Sequence, residues 1–289
     1  MDLSIIIIHH NTKKLLLTAL ESVYDTLRQS SLSFEVIMVD NASTDGAVQA
    51  VKKTYPQVIV LQNKENVGFG KANNQAIRIS KGEAILLLNS DTKVTEGAVD
   101  ALYKFVQNHP RSVVGPKLLN LDGSEQTSCG PFFTLPIVFL MLFCKGDALE
   151  LTRWSPVEVT KVGWVSGACL MASKELFLDG LLFDEKIFMY MDEIDLLYRA
   201  KKKGYTVYFM PEASVYHVGS GSSKDKRKTP ILNIYKGLMA FYQKHYASWE
   251  LPILKGMLQS KARIGMWYGS VFRKKDVQET YEEALTLVQ

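Results

Sequence analysis

The sequence predicts an α/β protein with a mostly parallel central sheet flanked by helices. The run Ala84–Leu88 is apolar at every position, as expected of a strand that is covered on both faces. Three similar short runs precede it and alternate with segments of helical periodicity, a spacing typical of βαβ units. The 289 residues are 47% hydrophobic, which suffices to pack one large domain or two small ones.

The first 110 residues contain four such strand and helix pairs. The first helix is the clearest, because Leu16, Leu20 and Leu27 fall on one stripe of a helical repeat. Ser43, Thr44 and Asp45 are natural caps for the second helix, which is predicted to run through Tyr55. The predicted strands are Leu3–Ile8, Phe34–Val39, Val58–Leu61 and Ala84–Leu88, and the predicted helices are Lys13–Arg28, one through Tyr55, one ending near Ser80, and Thr95–Asn108.

The regular alternation ends at Pro110. A helix is predicted at Met191–Lys203, where an acidic first turn and a basic last turn both suit the helix dipole. Gly163 and Gly167 lie within a predicted strand, where glycine allows a close backbone approach. The predicted strands of this region are Val113–Leu121, Val162–Ala172, Tyr205–Met210 and Ser214–Val218.

The charge of the chain is concentrated near its C-terminus. The net charge is +4, but Lys224–Lys275 holds twelve lysines and arginines against two acidic residues, so this segment carries +10 and the rest −6. A basic appendage on a mildly acidic body indicates an anionic partner. Nucleic acid is not expected, since no recognised binding motif accompanies the charge.

The helices predicted in this basic segment also carry apolar residues, a mixture that suits the interface of an anionic membrane. The alternative is that these helices pack on the rest of the protein or form a homodimer interface, with their charges merely solvated. The apolar residues are Leu238, Phe241, Tyr242, Leu254, Leu258, Trp267, Tyr268 and Phe272.

No run of about 18 apolar residues occurs, so no membrane-spanning helix is expected. The longest apolar stretch, Phe132–Phe143, is interpreted either as core or as a lip that touches lipid. The three cysteines, Cys129, Cys144 and Cys169, lack the spacing of a metal site, which fits a reducing cytoplasm. The expected location is therefore cytoplasmic, with peripheral contact at the inner face of the membrane.

Polar clusters follow three of the predicted strands: His9–Thr12, Asp40–Asp45 and Asn89–Asp91. Ligands of open α/β sheets collect at the carboxyl ends of strands. Asp40 could accept hydrogen bonds from a nucleobase or ribose, and the alternative is a helix cap. The first strand is not followed by G-x-G-x-x-G, which argues against a dinucleotide oxidoreductase.

Asp91 follows the central strand, and a carboxylate beside a nucleotide diphosphate usually holds a divalent cation. The alternative is that it caps the next helix. His217 could supply a second ligand, better suited to Mn²⁺ than to Mg²⁺, although a lone histidine in a short strand is more often structural.

Three carboxylates begin the helix predicted at Met191–Lys203. Asp192 or Glu193 could act as a general base, or both could only satisfy the helix dipole. Asp195 is expected to be structural and to pair with Arg199 one turn later.

Seven segments in order resemble the inverting glycosyltransferases of family 2, and in particular their bacterial rhamnosyltransferase-like branch. The resemblance implies a GT-A type fold, with a Rossmann-like mostly parallel central sheet and a helical C-terminal extension. It covers roughly residues 3–222. The segments are SIIIIHHNTKKLLLTALESV, VIMVDNASTDGA, NKENVGFGKANNQAI, AILLLNSDTKV, VGWVSGACLMASKELF, FDEKIFMYMDEIDLLYRAKKKGY and SVYHVGSGS.

The resemblance also implies a domain organisation. Residues 1–222 would form the catalytic domain, with a nucleotide-binding half over 1–110 and an acceptor-binding half over 111–222. Residues 223–289 would form the basic helical extension. Trp164–Gly167 would lie under the transferred sugar.

Roles for single residues follow from the same resemblance. Asn89, Ser90 and Asp91 stand at the D-x-D motif of the family, with Asp91 as the metal ligand, and His217 would complete the metal site. Because Asn89 replaces the first carboxylate, the metal could be bound more weakly or be optional. The residues implied to bind the nucleotide are Asp40 with Asn11 at the pyrimidine, and Asn66, Gly68, Phe69 and Asn73 around the pocket.

The acid pair of the family is usually Glu-Asp, and here it is Asp192-Glu193. The second member is normally the base, so Glu193 is favoured, with Asp192 as the alternative. The longer side chain of Glu193 adds one methylene to the base.

The implied activity is the transfer of a sugar, with inversion, from a dTDP- or UDP-linked donor to a glycan or lipid-linked acceptor. Mg²⁺ or Mn²⁺ would assist, and the product would belong to a cell-surface polysaccharide. A nucleotidyltransferase using the same aspartate is one alternative, and a non-catalytic membrane- or polyanion-binding protein is another. A glycoside hydrolase is disfavoured, because no nucleophile and acid pair occurs at a matched spacing.

Overall fold

The structure, a computed structural model, describes residues 1–219 and 228–289. Eight strands of its main sheet lie in the order β3-β2-β1-β4-β11-β6-β12-β5, and β7 and β9 pair with β6 and β12 at the side. The strands are β1 Leu3–His9, β2 Phe34–Asp40, β3 Ile59–Gln62, β4 Ala84–Asn89, β5 Thr92–Val94, β6 Ser112–Leu119, β7 Glu125–Gln126, β8 Cys129–Gly130, β9 Thr160–Val162, β10 Trp164–Val165, β11 Cys169–Ser173 and β12 Thr206–His217.

Helices cover both faces of this sheet. The described helices are α1 Lys13–Leu27, α2 Ala47–Thr54, α3 Phe69–Ile79, α4 Ala98–Asn108, α5 Leu135–Phe143, α6 Lys174–Leu178, α7 Asp192–Lys202, α8 Lys228–His245, α9 Glu250–Val271 and α10 Lys275–Thr286.

Four adjacent strands, β3, β2, β1 and β4, pair in parallel, as the apolar runs predicted, and β6 and β12 form a further parallel pair. Ile5 and Ile7 of β1 face a core with α1, α2 and α4, whereas Ile6 faces a second core with α3 and α7. Each strand therefore contacts apolar side chains on both faces, which is the physical reason that it shows no alternation.

The prediction of one strand over Val162–Ala172 is wrong. The segment forms β9, β10 and β11, and β10 pairs with β8 in a separate two-stranded sheet. Gly163 interrupts the run where a Cβ would lie 2.9 Å from the carbonyl oxygen of Gly130, so the chain turns at a contact only glycine allows. The two strands predicted at Tyr205–Met210 and Ser214–Val218 are one strand, β12, whose register shifts between Met210 and Ser214.

The second helix begins at Ala47, and of its three predicted caps Asp45 is the one that contacts its first turn. The carboxylate of Asp45 accepts hydrogen bonds from the backbone N–H groups of Ala47 (3.0 Å) and Lys13 (2.7 Å). One side chain thus satisfies donors at the start of two helices. Ser43 instead accepts a hydrogen bond from the backbone N–H of Asn11.

The apolar stretch Phe132–Phe143 ends in α5, which packs on α9. Val138 and Leu142 are buried in the core, whereas Phe139 is half exposed. The core interpretation therefore holds for most of this stretch. None of the helices in the described ranges combines the length and the hydropathy needed to cross a bilayer.

Helices α8, α9 and α10 pack on one another and on the core that contains α3 and α7. Gly265 and Gly269 of α9 face α10 so closely that a Cβ at Gly269 would lie 2.7 Å from the backbone nitrogen of Gln278. The predicted boundary between residues 222 and 223 lies outside the described residues, as do Lys224, Lys226 and Arg227 of the basic segment.

Candidate nucleotide and metal site

The three polar clusters meet at one edge of the sheet. In the parallel register His9 stands opposite Asp40, and Ile8 stands opposite Asn89. Because β1, β2 and β4 are adjacent and end at the same level, the residues that follow them share one surface. We refer to this surface as the strand-end site.

Asn11 joins the loops that follow β1 and β2. It has a left-handed backbone (φ 54°), and its backbone N–H donates to the Ser43 hydroxyl at 3.0 Å. Its side-chain oxygen accepts the backbone N–H of Thr44 at 2.9 Å. The predicted proximity of Asn11 to the Asp40 loop is therefore present in the structure, and these bonds hold the two loops together.

Asp40 is buried at the end of β2, with 2% of its surface exposed. One carboxylate oxygen accepts the backbone N–H of Ser43 at 3.3 Å. The other, Oδ1, is buried and has no hydrogen-bond partner among the described residues. A buried carboxylate oxygen without a donor is costly, so it indicates a ligand N–H or O–H at this position.

The loop from Asn66 to Asn73 lies beside the same edge. Its side chains mostly hold the loop itself, since Asn66 Oδ1 accepts the N–H of Gly68 and Asn73 Nδ2 donates to the carbonyl of Phe69, each at 3.0 Å. Gly68 has φ +85°, and a Cβ there would lie 2.7 Å from the carbonyl oxygen of Phe188. Phe69 donates its N–H to that oxygen at 3.0 Å.

A buried amide network, not predicted from the sequence, attaches this loop to β2. Asn41 Nδ2 donates to the carbonyl of Gly68 at 3.2 Å, and Asn41 Oδ1 accepts from Asn63 Nδ2 at 2.9 Å. Asn63 in turn pairs with Gln75 of α3 through two hydrogen bonds of 3.0 Å. The sequence offered a signal only in the unusual density of amide side chains after β2 and β3.

Ser90 links the loop after β4 to the loop after β1. Its hydroxyl lies 3.1 Å from that of Thr12, and both groups are buried. The neighbouring Asn89 is held through its backbone, which donates to the carbonyl of Ala168 and accepts from the Thr92 hydroxyl. These bonds fix the backbone from which Asp91 extends.

Asp91 and His217 come together although 126 positions separate them in the sequence. The antiparallel pairing of β5 with β12 places Thr92 opposite His217, and His217 Nε2 lies 3.4 Å from Asp91 Oδ1. The backbone carbonyl of Asp91 accepts the N–H of Val218 at 3.0 Å. The sequence predicted His217 as a possible second metal ligand besides Asp91, and the family resemblance implied the same pair.

Gln126 determines how His217 is oriented. Gln126 Nε2 donates to the backbone carbonyl of His217 and to Asn120 Oδ1, both at 2.7 Å. Its Oε1 therefore faces His217 Nδ1 at 2.9 Å and requires a proton on that nitrogen. In neutral His217 the proton on Nδ1 leaves a lone pair on Nε2, directed at the Asp91 carboxylate.

These donors fit a divalent cation. The carboxylate oxygen and the imidazole lone pair face each other, and a cation between them would balance both. A histidine that binds a metal usually donates its other ring N–H to an oxygen acceptor. Within residues 1–219 and 228–289 no cluster of three or more His, Cys, Asp or Glu side chains could hold a metal. The remaining ligands would then be diphosphate oxygens and water, as is usual for Mg²⁺.

The two carboxyl groups at the start of α7 differ sharply in environment. Asp192 is 3% exposed, and its Oδ2 has no hydrogen-bond partner within residues 1–219 and 228–289. Burial raises the pKa of Asp192 well above its usual range, and the adjacent Glu193 raises it further. Glu193 is only partly buried and packs against Gly167, where a Cβ would lie 3.4 Å from that of Glu193.

Tyr190 precedes the acidic first turn of α7, and sequence reasoning missed it. Burial raises the pKa of its phenol, and the negative charges of Glu193 and Asp91 raise it further. Tyr190 and Met191 have φ of 66° and 65°, two successive left-handed residues that are not glycine. Backbone strain of this kind concentrates at functional sites.

Comparison with known proteins gives three sequence matches. Residues 4–127 match the family model described as Glycosyl transferase family 2. N-acetylglucosaminyl-diphospho-decaprenol L-rhamnosyltransferase of Mycobacterium tuberculosis is 29% identical over 253 residues, which cover 79% of this chain and 82% of that protein. The low-salt glycan biosynthesis hexosyltransferase Agl10 of Haloferax volcanii is 26% identical over 71% of this chain and 64% of its own length.

Solved structures agree in fold. TarS 1–349 of S. aureus superposes with a TM-score of 0.53 at 16% identity, covering all of this chain and 92% of that one. The mannosyltransferase PcManGT of Pyrobaculum calidifontis, solved with GDP-Man and Mn²⁺, has a TM-score of 0.58 at 18% identity, with coverages of 99% and 74%. At these low identities the superpositions show the fold alone. They confirm the predicted GT-A type of α/β architecture.

Proposed function

Since the chain carries a glycosyl transferase family 2 domain over residues 4–127, we propose that it transfers a sugar from a nucleotide-diphosphate donor to a glycan or lipid-linked acceptor, with inversion. The observation that carries this proposal is the convergence of three features around the strand-end site. They are the unpartnered oxygen of Asp40, the Asp91–His217 pair, and Glu193, whose charge, like that of Asp91, raises the pKa of Tyr190.

The donor is proposed to be dTDP- or UDP-linked. Thymine and uracil both present a ring N–H beside carbonyl groups, and such an N–H is the donor that Asp40 Oδ1 lacks. The loop held by Asn11 would lie against the base. Asn66, Gly68, Phe69 and Asn73 would enclose the nucleotide through the backbone that they hold in place, since the side chains of Asn66 and Asn73 already bond within the loop.

Asp91 and His217 would hold Mn²⁺ or Mg²⁺ beside the diphosphate, with Asn89 and Ser90 placing Asp91. The ion would neutralise charge on the diphosphate leaving group. Gln126 keeps the Nε2 lone pair of His217 directed at this position. With two protein ligands, binding of the ion should depend on the nucleotide.

Glu193 is proposed as the general base. It must take a proton from the acceptor hydroxyl as that oxygen attacks the anomeric carbon, on the face opposite the diphosphate. Asp192 suits this task poorly, because its side chain is buried, whereas that of Glu193 is partly exposed. Asp192 instead supports the turn before α7. Trp164–Gly167 would form the floor beneath the sugar, since Gly167 contacts Glu193.

The acceptor is proposed to be lipid-linked, in the synthesis of a cell-surface polysaccharide. The relative from Mycobacterium tuberculosis is named for an acceptor that carries a diphosphate on a lipid and for transfer of L-rhamnose. A rhamnosyl donor and peripheral contact with an anionic membrane are therefore the first possibilities to test for this chain.

The test is a turnover assay of the full chain with a panel of dTDP- and UDP-sugars, Mn²⁺ or Mg²⁺, and a lipid-linked glycan acceptor. We expect release of the nucleoside diphosphate together with a glycosylated product for at least one donor. Release of pyrophosphate would indicate a nucleotidyltransferase instead. Failure of every nucleotide to raise the melting temperature would indicate a non-catalytic protein, because a bound ligand must stabilise the fold.

A further inference from the structure

The second half of α9 exposes a continuous apolar face, which we call the α9 face. It consists of Ile264, Trp267, Tyr268, Val271 and Phe272, all exposed, with Trp267 at 64% and Phe272 at 57%. The spacing of the first four is that of one side of a helix. The opposite side of α9 is buried, where Gly265 and Gly269 contact α10. Contiguous exposed side chains of this size mark an interaction surface.

Basic residues border the α9 face. Arg263, Arg273, Lys274 and Lys275 are exposed around it, and Lys274 Nζ lies 5.1 Å from the centre of the Tyr268 ring. Aromatic and aliphatic side chains combined with cations are typical of helices that lie in the interface of an anionic bilayer.

A cavity of about 530 Å³ opens at the same face. Its walls include Ile264, Tyr268 and Tyr281, and Lys145 and Lys261 also line it, together with Asp276. The cavity is thus apolar along its sides with cations in its lining, a combination suited to a phosphate group attached to a hydrocarbon chain.

Lys261 lines this cavity, and its ammonium group lacks a counter-charge among the described residues. Its Nζ donates to the backbone carbonyl of Leu142 at 2.6 Å, and burial lowers its pKa. In the described part of the chain no carboxylate lies within 4.0 Å of it, although Asp276 lines the same cavity. A partly buried cation is stabilised by an anion.

We propose that the α9 face docks on an anionic bilayer, with Trp267 and Phe272 at the level of the headgroups and the phosphate of an acidic phospholipid in the cavity beside Lys261. The charge of the border favours an anionic leaflet over an uncharged protein surface. This proposal rests on the proposed function, because access to a lipid-linked acceptor is the reason for the protein to bind a membrane.

The test compares flotation of the full chain with vesicles of phosphatidylcholine and with vesicles that also contain phosphatidylglycerol, at low and high salt. We expect binding to the anionic vesicles only, weakened by salt, since each cation near the surface contributes through a screened interaction. The double variant W267A/F272A should bind at least about ten-fold more weakly. Substituting Lys261→Met should reduce the preference for phosphatidylglycerol, and free glycerol phosphate should not displace the protein.

Matched controls are the exposed apolar residues Val157 and Leu178 and the exposed Lys52 and Lys53, all outside this face. V157A/L178A and K52Q/K53Q should bind vesicles as the wild type does. Absence of binding at low salt, or equal binding by W267A/F272A, would overturn the proposal. A dimer in solution that W267A/F272A dissociates would also overturn it, by showing that a second copy covers the face.

The two proposals fail in different ways. Transfer to a water-soluble acceptor should be unchanged in W267A/F272A, because neither residue belongs to the strand-end site. A wild type that floats with anionic vesicles but transfers no sugar would contradict the proposed function and leave the docking surface intact. A wild type that transfers sugar but does not float would contradict the docking surface alone.

Discussion

At the scale of single residues, chemistry in this protein depends on neighbours that hold a side chain in one state. Gln126 gives His217 a defined tautomer, and burial raises the pKa of Asp192. His217 and Asp192 were identified from residue type and position. Gln126 could not be, because glutamine is common and its contact with His217 joins residues 91 positions apart.

The first prediction concerns Gln126. Substitution by alanine removes the acceptor for His217 Nδ1–H, so the imidazole is free to rotate and to carry its proton on Nε2. Outer contacts of this kind typically contribute about 10–100-fold to metal affinity. We expect Q126A to bind Mn²⁺ more weakly by a factor in this range, measured by calorimetric titration in the presence of the nucleoside diphosphate.

The matched control for Q126A is Gln107→Ala, at an exposed position of α4. It should bind Mn²⁺ as the wild type does. Equal affinity in Q126A and the wild type, in proteins of equal melting temperature, would show that Gln126 does not orient a metal ligand.

The second prediction concerns the stability of Asp192→Asn. A carboxyl with a raised folded-state pKa stabilises the fold fully below its ordinary value of 3.8, and this contribution is lost as the pH rises through the folded-state pKa. Asparagine does not titrate. The free energy of unfolding of the wild type should therefore fall relative to that of D192N as the pH is raised from about 4 towards neutrality.

Urea unfolding of both proteins at several pH values in this window measures the difference. D192N should be at least as stable as the wild type near neutral pH. If the wild type instead gained on the variant with rising pH, Asp192 would be ionised in the fold, which would contradict its raised pKa.

At the scale of elements, α8 holds α7 in place. Asp195 of α7 is fully buried and pairs with Arg199 at 2.8 Å, as the i, i+4 spacing predicted. It also contacts Lys244 at 2.9 Å and His245 at 2.7 Å, both from the end of α8. The sequence could predict the first pair from helix geometry but not the others, which lie 49 and 50 residues away.

Helix α8 also supports the strained turn before α7. Gly237 lies so close to this turn that a Cβ would be 2.7 Å from Met191 Cγ and 3.2 Å from the carbonyl oxygen of Tyr190. The position of Glu193 therefore depends on a helix that follows the catalytic segments in the sequence. The left-handed conformation of Tyr190 and Met191 could not be predicted, since neither residue type favours it.

The third prediction belongs to this contact between helices. Burial acts to raise the pKa of Asp195, but Arg199, His245 and Lys244 outweigh it and lower the pKa below its ordinary value. Asp195→Ala leaves Arg199 and Lys244 without their carboxylate and His245 without its hydrogen-bond partner. Breaking a buried pair in this way typically costs about 3–5 kcal/mol of unfolding free energy.

Urea unfolding at neutral pH measures that cost. The control is Asp25→Ala, which removes an exposed carboxylate paired with Arg28 and should change stability little. Because the pKa of Asp195 is lowered, the difference between the wild type and D195A should shrink as the pH falls below about 4. A loss in D195A no larger than in D25A would contradict this account of how α7 is held.

At the scale of the whole molecule, the sequence predicted the parallel part of the sheet well and its mixed part poorly. Leu3–Ile8 and Ala84–Leu88 are buried on both faces, so their apolar runs identify them as strands. The segment Val162–Ala172 is also largely apolar, but the chain passes from one sheet to another at Gly163. Contacts with distant backbone determine this path.

The strand-end site was predictable for the same reason that the parallel sheet was. Parallel strands end at one edge, so polar residues after β1, β2 and β4 had to meet. For β12 and α7 the residue types indicated candidate roles but not their place at this site, because these elements enter from the mixed part of the sheet and from beyond it.

The proposed function requires Glu193, beside the strand-end site, to remove the proton from the acceptor hydroxyl. The most direct test is the kcat for sugar transfer in wild type, E193Q and D192N, with nucleotide affinity measured in parallel. Loss of a positioned base should lower the kcat of E193Q by about 10²–10⁴-fold with unchanged nucleotide affinity, while D192N keeps most of its activity. A severe loss in D192N with a mild one in E193Q would contradict the claim.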